Sequence, residues 1–175
     1  MRWLPFQLNP DLPPQGIPRL DYIARKFGDR DHSRYRRVAM VGQSVGLDMQ
    51  FEKITVQPNT VQAHRLMHLA AQKDRQDAMA ESLFRAYFVE GANLTDNAVL
   101  AGYAAEAGFD REAVQAYLDS DEDSEVIRAA DVEAREVGIS GVPFFIFNRR
   151  IGVSGAQEAE TLLDAMEQAR AAAPD

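Results

Sequence analysis

Between Gly138 and Gln157 the chain reads Gly-Ile-Ser-Gly-Val-Pro-Phe-Phe-Ile-Phe-Asn-Arg-Arg-Ile-Gly-Val-Ser-Gly-Ala-Gln. Four consecutive apolar residues, Phe144 to Phe147, are too few for a helix and rich enough in aromatics for a buried strand. A glycine-bounded loop ending in Val142-Pro143 precedes them. Asn148, Arg149 and Arg150 supply a turn, and Ile151 to Val153 a short return strand. Ser154-x-x-Gln157 is a capping-box pattern, which predicts a last helix over 158–171. The unit is loop, strand, turn, strand, helix, and it makes the chain an α/β protein.

The other end alternates. Arg2 to Leu8 places Trp3 on one face and Leu4 and Phe6 on the other, while Pro5 cannot donate to a ladder, so an edge strand is expected. Residues 9–16 carry three prolines and a closing Gly16, a turn-rich boundary that forbids regular helix. From Ile17 to Val137 the pattern is one helix after another, with Phe51 to Val56 the single candidate strand. Gly28, Gly46, Gly91, Gly108 and Gly138 each follow a helical stretch, where glycine takes the left-handed conformation without steric cost. Apolar stripes at Leu83, Phe84, Tyr87 and Phe88, at Val99, Leu100, Tyr103 and Ala104, and more briefly at Leu66 with Leu69, Val114 with Tyr117 and Leu118, and Leu162, Leu163 with Met166 read as core faces. The chain therefore divides into 1–16 with 139–175, a discontinuous α/β part, and 17–138, a helical insertion.

Bulk properties exclude several functions. An apolar share of 46% and a charged share of 26% suit a soluble globular domain. A net charge of -8 and a pI near 4.9 argue against a nucleic-acid partner, and Arg34, Arg36 and Arg37 read as a solvated helix face. No apolar run is long enough to span a membrane, and the first residues lack a signal-peptide pattern, so a cytoplasmic location is expected. The absence of cysteine removes disulfides, thiolate metal sites and thiol catalysis from these residues. His64 and His68 sit four apart as in a helical metal pair, but Arg65 stands where a metalloprotease helix carries glutamate, so no metal is expected. The acidic run from Asp119 to Glu125 lacks the spacing of a calcium loop and reads as the entry to a helix at Ser124. No serine shows a nucleophile-elbow context and no glycine motif supports a nucleotide. If the Val142-Pro143 bond is cis, the residue before the proline turns its N–H and C=O outward, where an extended peptide or glutathione can pair by strand addition.

Gly-Val-Pro-Phe-Phe-Ile-Phe followed by Gly-Val-Ser-Gly-Ala-Gln resembles the C-terminal half of a thioredoxin fold, and specifically the FrnE-like branch of the DsbA family of thiol-disulfide oxidoreductases. Trp3 to Pro10, Pro58 to Leu66 and Leu83 to Gly91 resemble three further signatures of that branch. The resemblance implies a thioredoxin-like fold with a large all-α insertion. It also implies a substrate-binding loop at Val142 and Pro143, with Gln157 beside it, facing a protein or glutathione disulfide or thiol. The family's first strand, Cys-x-x-Cys motif and first long helix have no counterpart here. The expectation is therefore an N-terminally truncated copy or gene model that keeps the docking half, with no catalytic residue, no cofactor and a homodimer left open. Two other readings stand beside it. One is a glutathione-dependent isomerase or transferase resembling 2-hydroxychromene-2-carboxylate isomerase or the kappa-class transferases, against which Gln157 stands where an aspartate is typical. The other is a non-catalytic remnant that folds with a partner.

Overall fold

The computed structural model describes residues 1–28 and 30–172 and, of Arg34, the backbone alone. Its elements run β1 (Ile17–Pro18), α1 (Arg19–Phe27), α2 (Arg36–Ser44), β2 (Val56–Gln57), α3 (Val61–Ala71), α4 (Gln76–Phe84), α5 (Asn97–Glu106), α6 (Arg111–Asp119), α7 (Ser124–Glu136), β3 (Phe144–Phe147), β4 (Ile151–Ser154) and α8 (Ala159–Ala171). A π-helical turn over Arg85–Val89 continues α4. The five glycines expected at helix ends all have positive φ, from 71° at Gly91 to 89° at Gly138.

The core lies among α3 to α6. Leu66, Ala70, Met79, Ala86, Leu100, Ala101 and Ala104 are fully buried there, with Val114 and Leu118 closing it. The stripes of α3 to α6 supply this core from one helical face each, as the 3.6-residue period requires. Two stripes depart from expectation. The π-helical turn changes the register after Phe84, and Phe84 is 51% exposed while Leu83 is buried. In α8 the buried residues are Ala165 and Ala169, whereas Leu163 and Met166 lie exposed.

At the heart of the helical part sits a cation. Arg65 is 1% exposed. Its Nε donates to Glu122 O at 2.7 Å, its Nη2 to Tyr117 O at 2.6 Å, and its Nη1 to Leu118 O at 3.1 Å and Gln62 Oε1 at 2.5 Å. These carbonyls terminate α6 and lead into α7, so the guanidinium satisfies groups that a helix end leaves without partners and meets the negative end of the α6 dipole. The Tyr117 ring covers it, with Cζ 4.5 Å from the centroid. Asp123, at φ 60°, accepts from Tyr117 Oη at 3.0 Å, and α7 then begins at Ser124, as the acidic run suggested.

Two strand expectations are corrected. Val56–Gln57 pairs antiparallel with Ile17–Pro18, while Phe51–Lys53 forms a 3-10 turn, so only the end of the 51–56 stretch is extended in a ladder. Arg2 to Leu8 forms no ladder at all. Its backbone is held by helix side chains. Gln76 accepts from Trp3 N and donates to Trp3 O, both at 3.1 Å; Asp131 accepts from Gln7 N at 2.6 Å, and Arg135 donates to Gln7 O. Polar main-chain groups need partners wherever water is excluded, and here α4 and α7 provide them in place of a neighbouring strand.

The C-terminal unit is a hairpin with a helix. Phe144 pairs with Ser154, Phe145 with Val153, Ile146 with Gly152 and Phe147 with Ile151. Asn148 and Arg149 take φ of 51° and 59°, and Arg150 N donates to Phe147 O at 3.0 Å. Two successive positive φ values match the right-handed twist of the flanking strands, as in a type I′ turn. Asn148 Nδ2 then donates to Ala169 O at 3.1 Å, tying the turn to α8.

Candidate functional site

The three sequence-expected substrate-binding residues meet at the open end of the hairpin. Val142 and Pro143 lead into β3, and Gln157 follows β4. The register brings these ends together, because Phe144 lies opposite Ser154. Gly155 N donates to Pro143 O at 2.8 Å and fastens the loop after β4 to the loop before β3. Gly155 has φ 82°, a conformation that disfavours a side chain, and it is the positioning residue that sequence reading overlooked. A glycine one residue after a short strand was the signal that could have found it.

The Val142–Pro143 peptide bond is cis. Val142 is 48% exposed, and its N–H and C=O have no hydrogen-bond partner among the described residues. Beside it the Phe144 ring covers Gly152, where an added Cβ would come within 2.9 Å of the ring. Phe145 and Phe147, on the other face of β3, stack with centroids 6.4 Å apart. The result is an accessible main-chain edge flanked by apolar side chains, with Ile146 48% exposed next along the strand. Such an edge can pair with an extended segment through reciprocal N–H···O=C bonds.

Gln157 is used differently from the capping box expected of it. Its Nε2 donates to Ser154 O at 2.9 Å, Ser154 is the last residue of β4, and Glu158 takes the N-cap position of α8 without a side-chain cap. The amide therefore braces the loop.

The remaining candidates lie away from this end. His64 Nε2 donates to Phe6 O at 3.2 Å, and burial pushes its pKa below the ordinary 6.5, partly opposed by that bond and by Asp131. His68 Nε2 stands 3.8 Å from Asp123 Oδ2, so the two rings serve different partners. Among the described residues no group of three or more His, Asp or Glu side chains is gathered as a metal site would require. Arg36 and Arg37 are exposed, while the Arg34 side chain lies outside the described residues. No helix among the described residues is long and apolar enough to cross a membrane.

Hairpin, cis-proline loop and helical part together define a class. The model of the DSBA-like thioredoxin domain family matches residues 1–167, and the chain belongs to that family of thioredoxin-like, thiol-disulfide oxidoreductase-type proteins. A probable DsbA oxidoreductase from Streptomyces coelicolor superposes with a TM-score of 0.87 at 30% identity, over 97% of this chain and 75% of that one. The uncharacterized protein YwbO of Bacillus subtilis is 26% identical over 147 residues, which span 83% of this chain and 70% of that protein.

Proposed function

We propose that this chain serves thiol-disulfide exchange as a docking surface, holding an extended protein segment or glutathione, as disulfide or thiol, against Val142 and Pro143. The unpaired N–H and C=O of Val142 carry the reading. Pro143 O is already taken by Gly155, so a ligand strand registers on Val142 alone. In the exchange itself a thiolate bonds to one substrate sulfur while the other leaves as a thiolate. These 175 residues contain no cysteine, so the attacking thiolate has to come from elsewhere.

Titration of the isotopically labelled chain with a disulfide-bearing peptide and with oxidised glutathione tests the proposal by amide chemical shifts. Perturbations centred on Gly141, Val142, Phe144 and Gly155 are expected. Shifts centred on another face, or none at millimolar ligand, would remove its basis.

A further inference from the structure

A concavity of about 300 Å³ opens beside α2. Its walls are fixed to the rest of the molecule. After α2 the chain folds back along the helix, with Leu47 N donating to Gly42 O at 2.8 Å and the Met49 side chain placed where a Cβ on Gly42 would meet it at 3.4 Å. Gln50 N then donates to Phe88 O at 2.7 Å, and the Phe51 ring, 5% exposed, stacks on Tyr35 with centroids 4.9 Å apart. Arg36, Met40 and Gln43 line the helix side, at the i, i+4 and i+7 spacing of a single helical face.

Three charged groups share this concavity and none neutralises another. Arg36, Asp48 and Glu52 make no ion pair among themselves, and the two carboxylates have no hydrogen-bond partner among the described residues. Asp31 lies within reach of the Arg36 charge, yet it accepts from Ser33 N at 2.7 Å and makes no ion pair with Arg36. Opposite charges that line one concavity and stay apart suit a ligand that carries both. A simple anion drawn to Arg36 would meet two carboxylates, and a simple cation drawn to those would meet the guanidinium.

The spacing sets the length of such a ligand. Arg36 and Gln43 are seven residues apart, about 10 Å along the helix axis, and the bond of Leu47 to Gly42 O places Asp48 at the Gln43 end. An extended chain spans at most about 3.3–3.6 Å per residue, so two or three residues fit between the charges, whereas the ammonium and carboxylate of a free α-amino acid share one carbon. Met40, 70% exposed, and Met49, half-buried, offer an adaptable apolar wall to a side chain between the termini.

We propose that this concavity binds a short peptide of two or three residues with free termini, its carboxylate at Arg36, its ammonium at Asp48 and an apolar side chain against Met40 and Met49.

Titration of the isotopically labelled chain with Gly-Leu-Gly, followed by amide shifts, tests it against two blocked forms, the N-acetylated peptide and the C-terminal amide. Saturable shifts centred on Met40, Gln43, Asp48 and Met49 are expected, with each blocked form bound about two- to fivefold more weakly, the size of charge contacts open to water. Arg36→Gln should become indifferent to the C-terminal amide, and Asp48→Asn to the N-acetyl group. Far-UV circular dichroism verifies that both variants fold, and the blocked peptides decide the matter on the wild type should one of them not. No saturable shifts at millimolar peptide, or shifts centred on another face, overturn the proposal. Blocked peptides bound as tightly as the free one overturn it too, since the concavity would then take only the leucine side chain, and so do folded variants that still discriminate the blocked termini.

Discussion

The helical part and the C-terminal hairpin with its helix are built to different standards of closure. Around Arg65 and Leu100 the helices bury their stripes almost completely, and a core cation finds its hydrogen-bond acceptors. In the hairpin and α8 only Ala165 and Ala169 are buried, while Ile146, Leu163 and Met166 are about half exposed. The N-terminal segment belongs with the first region. Its bonds run to Gln76, Asp77, His64, Asp131 and Arg135, and none reaches β3 or β4 among the described residues. Packing density thus sits in the helices, and accessible main chain sits in the hairpin that carries the candidate site. That division fits elements that bind by strand addition, since an edge saturated by its own fold has nothing left to offer.

The contrast is broken most forcefully at Arg65. Arg65→Ala strands Glu122 O, takes one of several donors from Tyr117 O and Leu118 O, and empties the space of a buried side chain; with an unsatisfied buried group costing about 1–3 kcal/mol and a large-to-small core truncation about 2–5 kcal/mol, urea denaturation should show a loss of at least about 3 kcal/mol. A loss below about 1 kcal/mol would mean that water replaces the guanidinium and that the junction is not organised by it. Next in size is a paired truncation. Leu100→Ala removes a fully buried side chain and should cost about 2–5 kcal/mol, whereas Leu163→Ala, 56% exposed, should stay within about 0.5 kcal/mol. Equal costs at both sites would show that α8 is covered in solution and would erase the difference between the regions.

The smallest effect concerns His64. Burial holds its folded-state pKa below the ordinary 6.5, so the unfolded chain takes up the proton first as pH falls. Stability is unaffected above 6.5 and declines as pH drops from there towards the folded-state value. Trp3, the sole tryptophan, donates from Nε1 to Asp77 at 2.7 Å, which makes its fluorescence a reporter for the held segment. Resistance to denaturation, followed by that signal, should be weaker at pH 5 than at pH 7.5. His64→Gln, which keeps an N–H donor for Phe6 O, should flatten the difference. An unchanged pH dependence in the variant would assign the effect to the carboxylates.

The same division shows what could be read from sequence. β3 was legible because four apolar residues between a proline and a polar turn admit no other element, and the helices because glycine closed five of the eight. The loop, strand, turn and strand around Val142 and Pro143 were legible through their motif, although Gln157 makes a bond to Ser154 O in place of the expected capping role. What escaped were interactions set by tertiary partners. Arg65 reads as an ordinary helix arginine until the α6 carbonyls are brought to it. Arg2 to Leu8 has the alternation of a strand, yet alternation is silent on whether a neighbouring strand or a set of side chains will meet the backbone. Likewise Leu163 and Met166 follow the spacing of a core stripe, and spacing alone does not supply the surface that would cover them.

One arrangement has implications for which substitutions the protein can absorb. Gln76, Asp131 and Arg135 grip Trp3 and Gln7 by the main chain, which every residue except proline presents alike. The identity of the held segment is therefore written largely in α4 and α7. Leu4 and Leu8, 61% and 59% exposed, can change with every one of these anchoring bonds intact, so a scan of single substitutions would find the memory of this segment stored some seventy to one hundred and thirty residues downstream of it.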